Sequence, residues 1–265
     1  MNNRVHIMGI DFDPLTMADV VATVLTWAGE TYHTCRYVVT PNVNHVVTFQ
    51  DNDGLQAAYR DASLVVVDGK PVLLASRLLG KRLPGLVPGS DLCPVLFDTA
   101  VKQSGLRVFL LGAGDGVAER AARVIQARWP WISVCGYYTP PMGFNSESHE
   151  NAEVIDCINA AQPDVLLIGL GAPKQEIWIH AMRAQLHVKV ALCIGAAIDF
   201  LAGEKTRAPK WMRFVGLEWL HRALSEPKRL AGRYWHDAKV FPLLVLRDRS
   251  RLKRVRTMLQ RSPIR

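Results

Sequence analysis

Val165-Leu166-Leu167-Ile168-Gly169-Leu170-Gly171-Ala172-Pro173-Lys174-Gln175-Glu176 runs from an uninterrupted apolar segment, through a loop of small residues, into a polar helix start. The apolar run bounded by glycine and proline reads as a buried strand, Val165 to Leu170. The helix that follows, Lys174 to Gln185, has Pro near its first position and Glu in its first turn, as helix starts do. A buried strand passing directly into a helix is the repeating unit of an α/β fold.

The alternation extends in both directions. Further strands are predicted at Tyr37 to Thr40, Leu64 to Val67, Arg107 to Leu111, Ile132 to Gly136 and Val188 to Ile194, and a further helix at Val117 to Arg128. The fold class is α/β, with a largely parallel sheet flanked by helices. Ligands of such sheets bind at the carboxyl ends of strands, and several of these runs end in Gly, Pro, Asn or Asp. After Gly203 the pattern changes to amphipathic helical stretches rich in Trp and Arg, with breaks expected at Pro209, Pro227 and Pro242. The chain therefore divides into an α/β domain, residues 1–204, and a helical appendage, residues 205–265.

At 265 residues and 49% apolar, the chain can bury one large core and carry an appendage. Met1 to Ile10 lacks the apolar run and cleavage site of a signal peptide. The run Leu243 to Leu246 is far short of the roughly 20 residues that span a bilayer, so a cytosolic chain is expected. Cys35, Cys93, Cys135, Cys157 and Cys193 stand singly, without zinc spacing or disulfide density, and are read as reduced thiols.

Charge is distributed unevenly. Lys205 to Arg265 holds 17 Lys/Arg against 4 Asp/Glu, whereas the preceding 204 residues hold 15 against 20. A basic tail on a near-neutral body suits a polyanionic partner, anionic lipid or nucleic acid. Trp211, Phe214, Trp219, Tyr234, Trp235 and Phe241 interleave with these basic residues, which suits a membrane interface; a helical pair packed on the body with a solvated basic face would read the same.

Several strand ends carry groups able to do chemistry. Thr40-Pro41-Asn42-Val43-Asn44-His45 places small polar groups where a loop begins; they could orient a sugar or nucleotide, or serve as a turn and helix cap. Asp68 follows an apolar strand, where a carboxylate can act as general base or simply begin an Asp-Gly turn. Gly112-Ala113-Gly114-Asp115-Gly116 resembles a phosphate-binding loop between strand and helix. The next strand ends Cys135-Gly136-Tyr137-Tyr138, without the acid that would hold a dinucleotide's ribose, which disfavours an NAD enzyme and leaves a nucleoside diphosphate.

At Gly171 to Glu176 the free amides of a helix start favour an anion, with Lys174 adding charge and Gln175 an amide. Gly195-Ala196-Ala197-Ile198-Asp199-Phe200 lets a ligand approach the backbone, with Asp199 to bind ribose hydroxyls or to cap the next helix. Asp11-Phe12-Asp13 and Asp51-Asn52-Asp53 fit a loose D-x-D pattern, but neither clearly ends a buried strand, so no metal and no cofactor are expected.

Taken in order, these segments resemble the WecG/TagA/CpsF glycosyltransferases, glycosyltransferase family 26, from about Arg36 to Tyr234. The marks are Thr40-Pro41-Asn42, Asp68-Gly69, Val87-Pro88-Gly89-Ser90-Asp91-Leu92, Gly171 to Glu176 and Gly195 to Phe200. Arg207-Ala208-Pro209-Lys210-Trp211 and Gly216-Leu217-Glu218-Trp219 complete them. The resemblance implies a Rossmann-like body and a metal-independent, inverting transferase of surface or exopolysaccharide biosynthesis. It implies a UDP-sugar donor carrying a Glc, ManNAc or ManNAcA unit and an undecaprenyl-diphosphate-linked sugar acceptor, met on the inner face of the cell membrane.

On the same resemblance Asp68 is the base, with Thr40 and Asn42 in its pocket. Gly112, Gly114, Gly171, Lys174, Gln175 and Asp199 face the donor. The appendage closes over the site and supplies arginines to the leaving diphosphate. Arg222 and Arg229 match that pattern, while Gly232 stands where a third arginine is expected and Arg233 is next to it. Nucleic acid is not among the implied partners, and self-association is left open. The competing readings are an NAD(P)-linked oxidoreductase, from the glycine loop, and a nucleic-acid binder, from the basic tail.

Overall fold

The computed structural model describes residues 4–31, 34–100, 105–209, 211–212 and 218–261, apart from the side chains of 222, 228, 229 and 251–261. The strands are β1 (Val5–Ile7), β2 (Ile10–Phe12), β3 (Arg36–Val39), β4 (Leu64–Val65), β5 (Leu106–Gly112), β6 (Ile132–Tyr138), β7 (Val165–Gly169) and β8 (Val190–Cys193). The helices are α1 (Met17–Gly29), α2 (Val43–Phe49), α3 (Asp53–Arg60), α4 (Lys70–Leu78), α5 (Gly89–Thr99), α6 (Val117–Arg128), α7 (Asn151–Ala161), α8 (Lys174–Met182), α9 (Ala197–Leu201), α10 (Glu218–Ser225) and α11 (Pro227–Arg261). The six predicted strands are all present, their ends shifted by at most two residues.

β3 to β8 form one sheet in the order β4-β3-β8-β7-β5-β6, and every pairing in it is parallel. Both faces are apolar because successive side chains point to opposite sides. Val38, Val108, Leu110, Leu167 and Leu192 meet α1, α5, α6 and α9 on one face. Val39, Phe109, Leu111, Leu166 and Ile168 meet α2, α3, α4, α7 and α8 on the other. Each such side chain, fully buried, contributes about 1.5–3 kcal/mol. This is a Rossmann-like α/β architecture.

The chain leaves β3 through α2 on one face and leaves its neighbour β8 through α9 on the opposite face. Adjacent strands whose helices diverge in this way open a crevice at their carboxyl ends. Beside it, three glycines bring backbones into contact. Gly112 has φ +111°, and a Cβ there would lie 2.7 Å from the Gly169 carbonyl; one on Gly169 would lie 2.9 Å from Gly195 O.

Two features depart from the sequence reading. β1 and β2 form an antiparallel hairpin whose turn, Met8-Gly9, has positive φ at both positions. Such turns favour Asn-Gly or Gly-Gly, and a Met in the first position hides the signal. Second, α11 runs through Pro242 without the expected break. Proline removes the hydrogen bond to residue i−4, here Ala238, and both residues lie on the exposed side of the helix, where that carbonyl is open to solvent.

α11 rests on the body through Leu230 and Phe241, which are buried, and through Val240, Leu244 and Val245. Asp248 accepts from the Met8 N–H at 3.0 Å and pairs with Lys81 at 3.5 Å. At the start of the segment Lys205 lies 3.8 Å from Asp199 and 3.2 Å from Glu226. No helix among the described residues is long and apolar enough to cross a membrane. The five cysteines are free thiols.

Candidate active site

The crevice is lined first by Thr40, Asn42 and Asp68, which the fold brings together. Thr40 directly follows β3, is buried, and donates its hydroxyl to Cys193 O on β8 at 3.2 Å. Asn42 is the N-cap of α2: its side-chain oxygen accepts from the N–H groups of Asn44 at 3.0 Å and His45 at 3.4 Å. Asp68 is half-buried just beyond β4, and its N–H donates to Pro41 O at 2.9 Å. Gly69 follows at φ +100°, with Asn42 Cβ 3.6 Å from where its own Cβ would be. The left-handed turn at Gly69 thus seats the Asp68 backbone against the Thr40-Pro41-Asn42 loop.

Behind these residues runs a buried polar chain. His45 Nδ1 lies 2.9 Å from Asn42 Oδ1, and its Nε2 lies 3.3 Å from Glu176 Oε1. Gln175 Nε2 donates to the same Glu176 oxygen at 2.7 Å, and Gln175 Oε1 accepts from the Gly195 N–H at 3.2 Å. The chain therefore links the cap of α2 to the start of α8 and to the turn after β8. Among the described residues Glu176 Oε2 and Tyr59 OH have no hydrogen-bond partner. Burial raises the Tyr59 phenol well above its ordinary value, and the nearby Glu176, Cys193 and Asp68 add to the effect. Buried polar atoms left unpaired beside a network mark a place where something other than packing sets the residue choice.

The predicted donor side lies along β5, β7 and β8. Gly114 to Gly116 are exposed between β5 and α6, and the Ala113 N–H donates to Gly169 O at 3.3 Å. Gly171 has φ +81°, the Ala172-Pro173 peptide is cis, and Lys174 is exposed in the first turn of α8, where the Gln175 N–H donates to Gly171 O at 3.1 Å. Gln175 is buried, with both ends of its amide engaged. Asp199 sits in the first turn of α9 beside Lys205. A Cβ on Gly89 would lie 3.0 Å from Ile194 Cα, so the start of α5 docks on the end of β8. Arg207 pairs with Asp91 at 2.8 Å and donates to Ser90 Oγ at 3.0 Å, joining two of the motifs.

The family model for "Glycosyl transferase WecG/TagA/CpsF family" matches residues 5–255. The chain belongs to that family. Among its relatives are proteins of Staphylococcus aureus named N-acetylglucosaminyldiphosphoundecaprenol N-acetyl-beta-D-mannosaminyltransferase. The protein of strain MRSA252 is 34% identical over 233 residues, 86% of this chain and 87% of the relative. Those of strains MW2 and NCTC 8325 / PS 47 are 33% identical over the same shares. As a member of the WecG/TagA/CpsF family the chain is a glycosyltransferase, and the expectation of a transferase holds over that of an oxidoreductase or a nucleic-acid binder.

The arginines expected at the leaving group fall on the last two helices. Arg222 lies in α10 and Arg229 in α11, with side chains outside the described residues. Arg233 is exposed, 5.2 Å over the Tyr234 ring. It lines a cleft of about 480 Å³ between α2 and α11, with Asn44, Asp237 and Leu244. A second cleft, about 340 Å³, lies between the hairpin and α2–α3. Both flank the strand ends rather than centre on Asp68.

In the first D-x-D match both carboxylates are engaged, and in the second the middle residue is a helix cap. Asp13 holds the Val65 N–H at 2.8 Å and Arg4 at 3.0 Å, Asp11 contacts His6, and Asn52 caps α3. Sequence reasoning missed the pairing of His45 with Glu176 and of Asn44 with Asp237.

Proposed function

We propose that the chain moves a hexosyl unit of the Glc, ManNAc or ManNAcA type from a UDP-sugar to an undecaprenyl-diphosphate-linked sugar, with inversion, at the inner face of the cell membrane. The observation that carries this is the crevice at β3, β4 and β8, in which Asp68, Thr40 and Asn42 converge. In an inverting displacement a base takes the proton of the acceptor hydroxyl as its oxygen bonds to the anomeric carbon. The bond from that carbon to the diphosphate oxygen breaks, and UDP leaves with the electron pair. Asp68 is the base in this reading, a role that contributes about 10²–10⁴-fold.

The donor diphosphate lies along the glycine strand ends, where Gly112, Gly114 and Gly171 offer backbone and Lys174 a charge at the start of α8. Gln175 acts through the Gly195 amide it holds, and Asp199 binds ribose hydroxyls. Arg222, Arg229 and Arg233 stabilise the charge that develops on the leaving diphosphate, without a metal. Residues 205–265 form the membrane-associating appendage. Exposed Trp211, Trp219, Trp235, Leu243 and Leu246 among basic residues support that role. The relatives' name makes an N-acetylmannosaminyl donor and an N-acetylglucosaminyl-diphospholipid the first pair to try.

The test is UDP release by purified protein from UDP-Glc, UDP-ManNAc, UDP-ManNAcA and UDP-GlcNAc, without divalent metal, with and without a prenyl-diphosphate-sugar. Release that requires one donor and the acceptor together is expected. Silence across the panel would overturn the reading of donor and acceptor.

A further inference from the structure

We infer that the outer face of α4 is a second lipid-contacting surface, carried by the catalytic body itself; this rests on the membrane-associated reading above. The inner face of α4 is core, through Val72, Leu73, Ala75 and Ser76. Its outer face shows Leu74 at 53% and Leu78 at 67% exposure, one helical turn apart. Arg77 and Arg82 are exposed beside them.

Single exposed leucines are ordinary, but this pair lies in an unusual charge setting. From Gly69 to Ser90 there is no Asp or Glu, while Lys70, Arg77, Lys81 and Arg82 are basic. The rest of residues 1–204 is net acidic, so the positive charge is local to this segment. Leucines on one helical face, flanked by arginines in a segment that carries no carboxylate of its own, are what an anionic lipid surface selects: the side chains enter the acyl boundary while the cations stay among the headgroups. A second copy of the same face would be repelled by its like charge.

The segment touches the appendage through an ion pair. Lys81, three residues past α4, pairs with Asp248 of α11, the helix whose exposed side carries Trp235, Leu243 and Leu246. α4 also begins one residue after Gly69, so Asp68 stands at its head. A helix of nine residues is about 13 Å long, which keeps that carboxylate within one helix length of the headgroups where a lipid-linked acceptor presents its sugar.

The experiment is flotation of the full chain with phosphatidylcholine vesicles, with and without phosphatidylglycerol. Leu74→Gln/Leu78→Gln should lower partitioning onto phosphatidylglycerol vesicles by about tenfold or more, with circular dichroism and melting unchanged. Arg77→Gln/Arg82→Gln should lower it roughly fivefold per arginine, and only where phosphatidylglycerol is present. A leucine double variant that floats like the unsubstituted chain would overturn the assignment of α4 and leave the appendage reading standing. Failure of the unsubstituted chain to float with either vesicle would remove both.

Discussion

Asn44 Nδ2 lies 3.3 Å from Asp237 Oδ1, so the start of α2 is held by a residue 193 positions later on α11. Asp237 is 3% exposed, and its second oxygen has no partner among the described residues. Burial pushes its carboxyl above the ordinary range, against the opposing pull of Asn44, Arg233, His236 and His45. A carboxyl whose folded value is raised favours the protonated form. Its ionisation costs stability as pH rises from the unfolded value, about 3.9, through the folded one. Asp237→Asn keeps the acceptor for Asn44 and removes that cost. Its melting temperature should exceed that of the unsubstituted chain at pH 7, and the gain should shrink as pH falls towards about 4. An equal gain at both ends of that range would exclude titration of Asp237 as the cause.

Asp68→Asn removes a proton acceptor and leaves the Pro41 contact, which the Asp68 backbone makes. Turnover should fall by about 10²–10⁴ while UDP-sugar affinity, measured by calorimetry, stays within about twofold. Near-normal turnover would show that another group takes the proton.

Gly112→Ala places a methyl group 2.7 Å from a backbone carbonyl in a conformation that L-residues avoid. Overpacking and strain together should cost about 2–5 kcal/mol, read as a lower urea midpoint with an unchanged slope. Gly29→Ala, where nothing lies within 4 Å, should be neutral or stabilise by up to about 1 kcal/mol. Similar losses in both would put the cause outside the β5–β7 contact.

Glu176→Ala leaves His45 Nε2 and Gln175 Nε2 without their acceptor in a buried place. The expected cost is about 3 kcal/mol or more, and Glu176→Gln should recover part of it. Melting of the alanine variant within about a degree of the unsubstituted chain would mean that the network carries no stability.

The strands were legible because a sheet buried on both faces writes uninterrupted apolar runs, as at Val165 to Ile168. Asp68 was legible as a strand-end carboxylate because one such run ends at Val67. The partnership of His45 and Glu176 was not, since it depends on a strand order that places β3 beside β8, which local pattern does not encode. Strands of three residues around Met8-Gly9 are too short for alternation to register. Pro242 misled because the helix around it is held to the body by side chains such as Phe241 and Val245, a tertiary contact that local pattern does not show.

Gly112, Gly169 and Gly195 make a lane across three neighbouring strands that is paved with peptide groups and edged by the Ile198 side chain. A donor lying along it, as proposed above, would be gripped mainly by atoms common to every residue type. Substitution there has no vocabulary except damage: it can block the lane but cannot retune what the lane prefers. On the proposed donor placement, discrimination between one transferred sugar and another would be written in the surrounding segments, such as the end of β6 and the turn beyond it, exposed at Tyr137 and Met142, which can change without disturbing the floor.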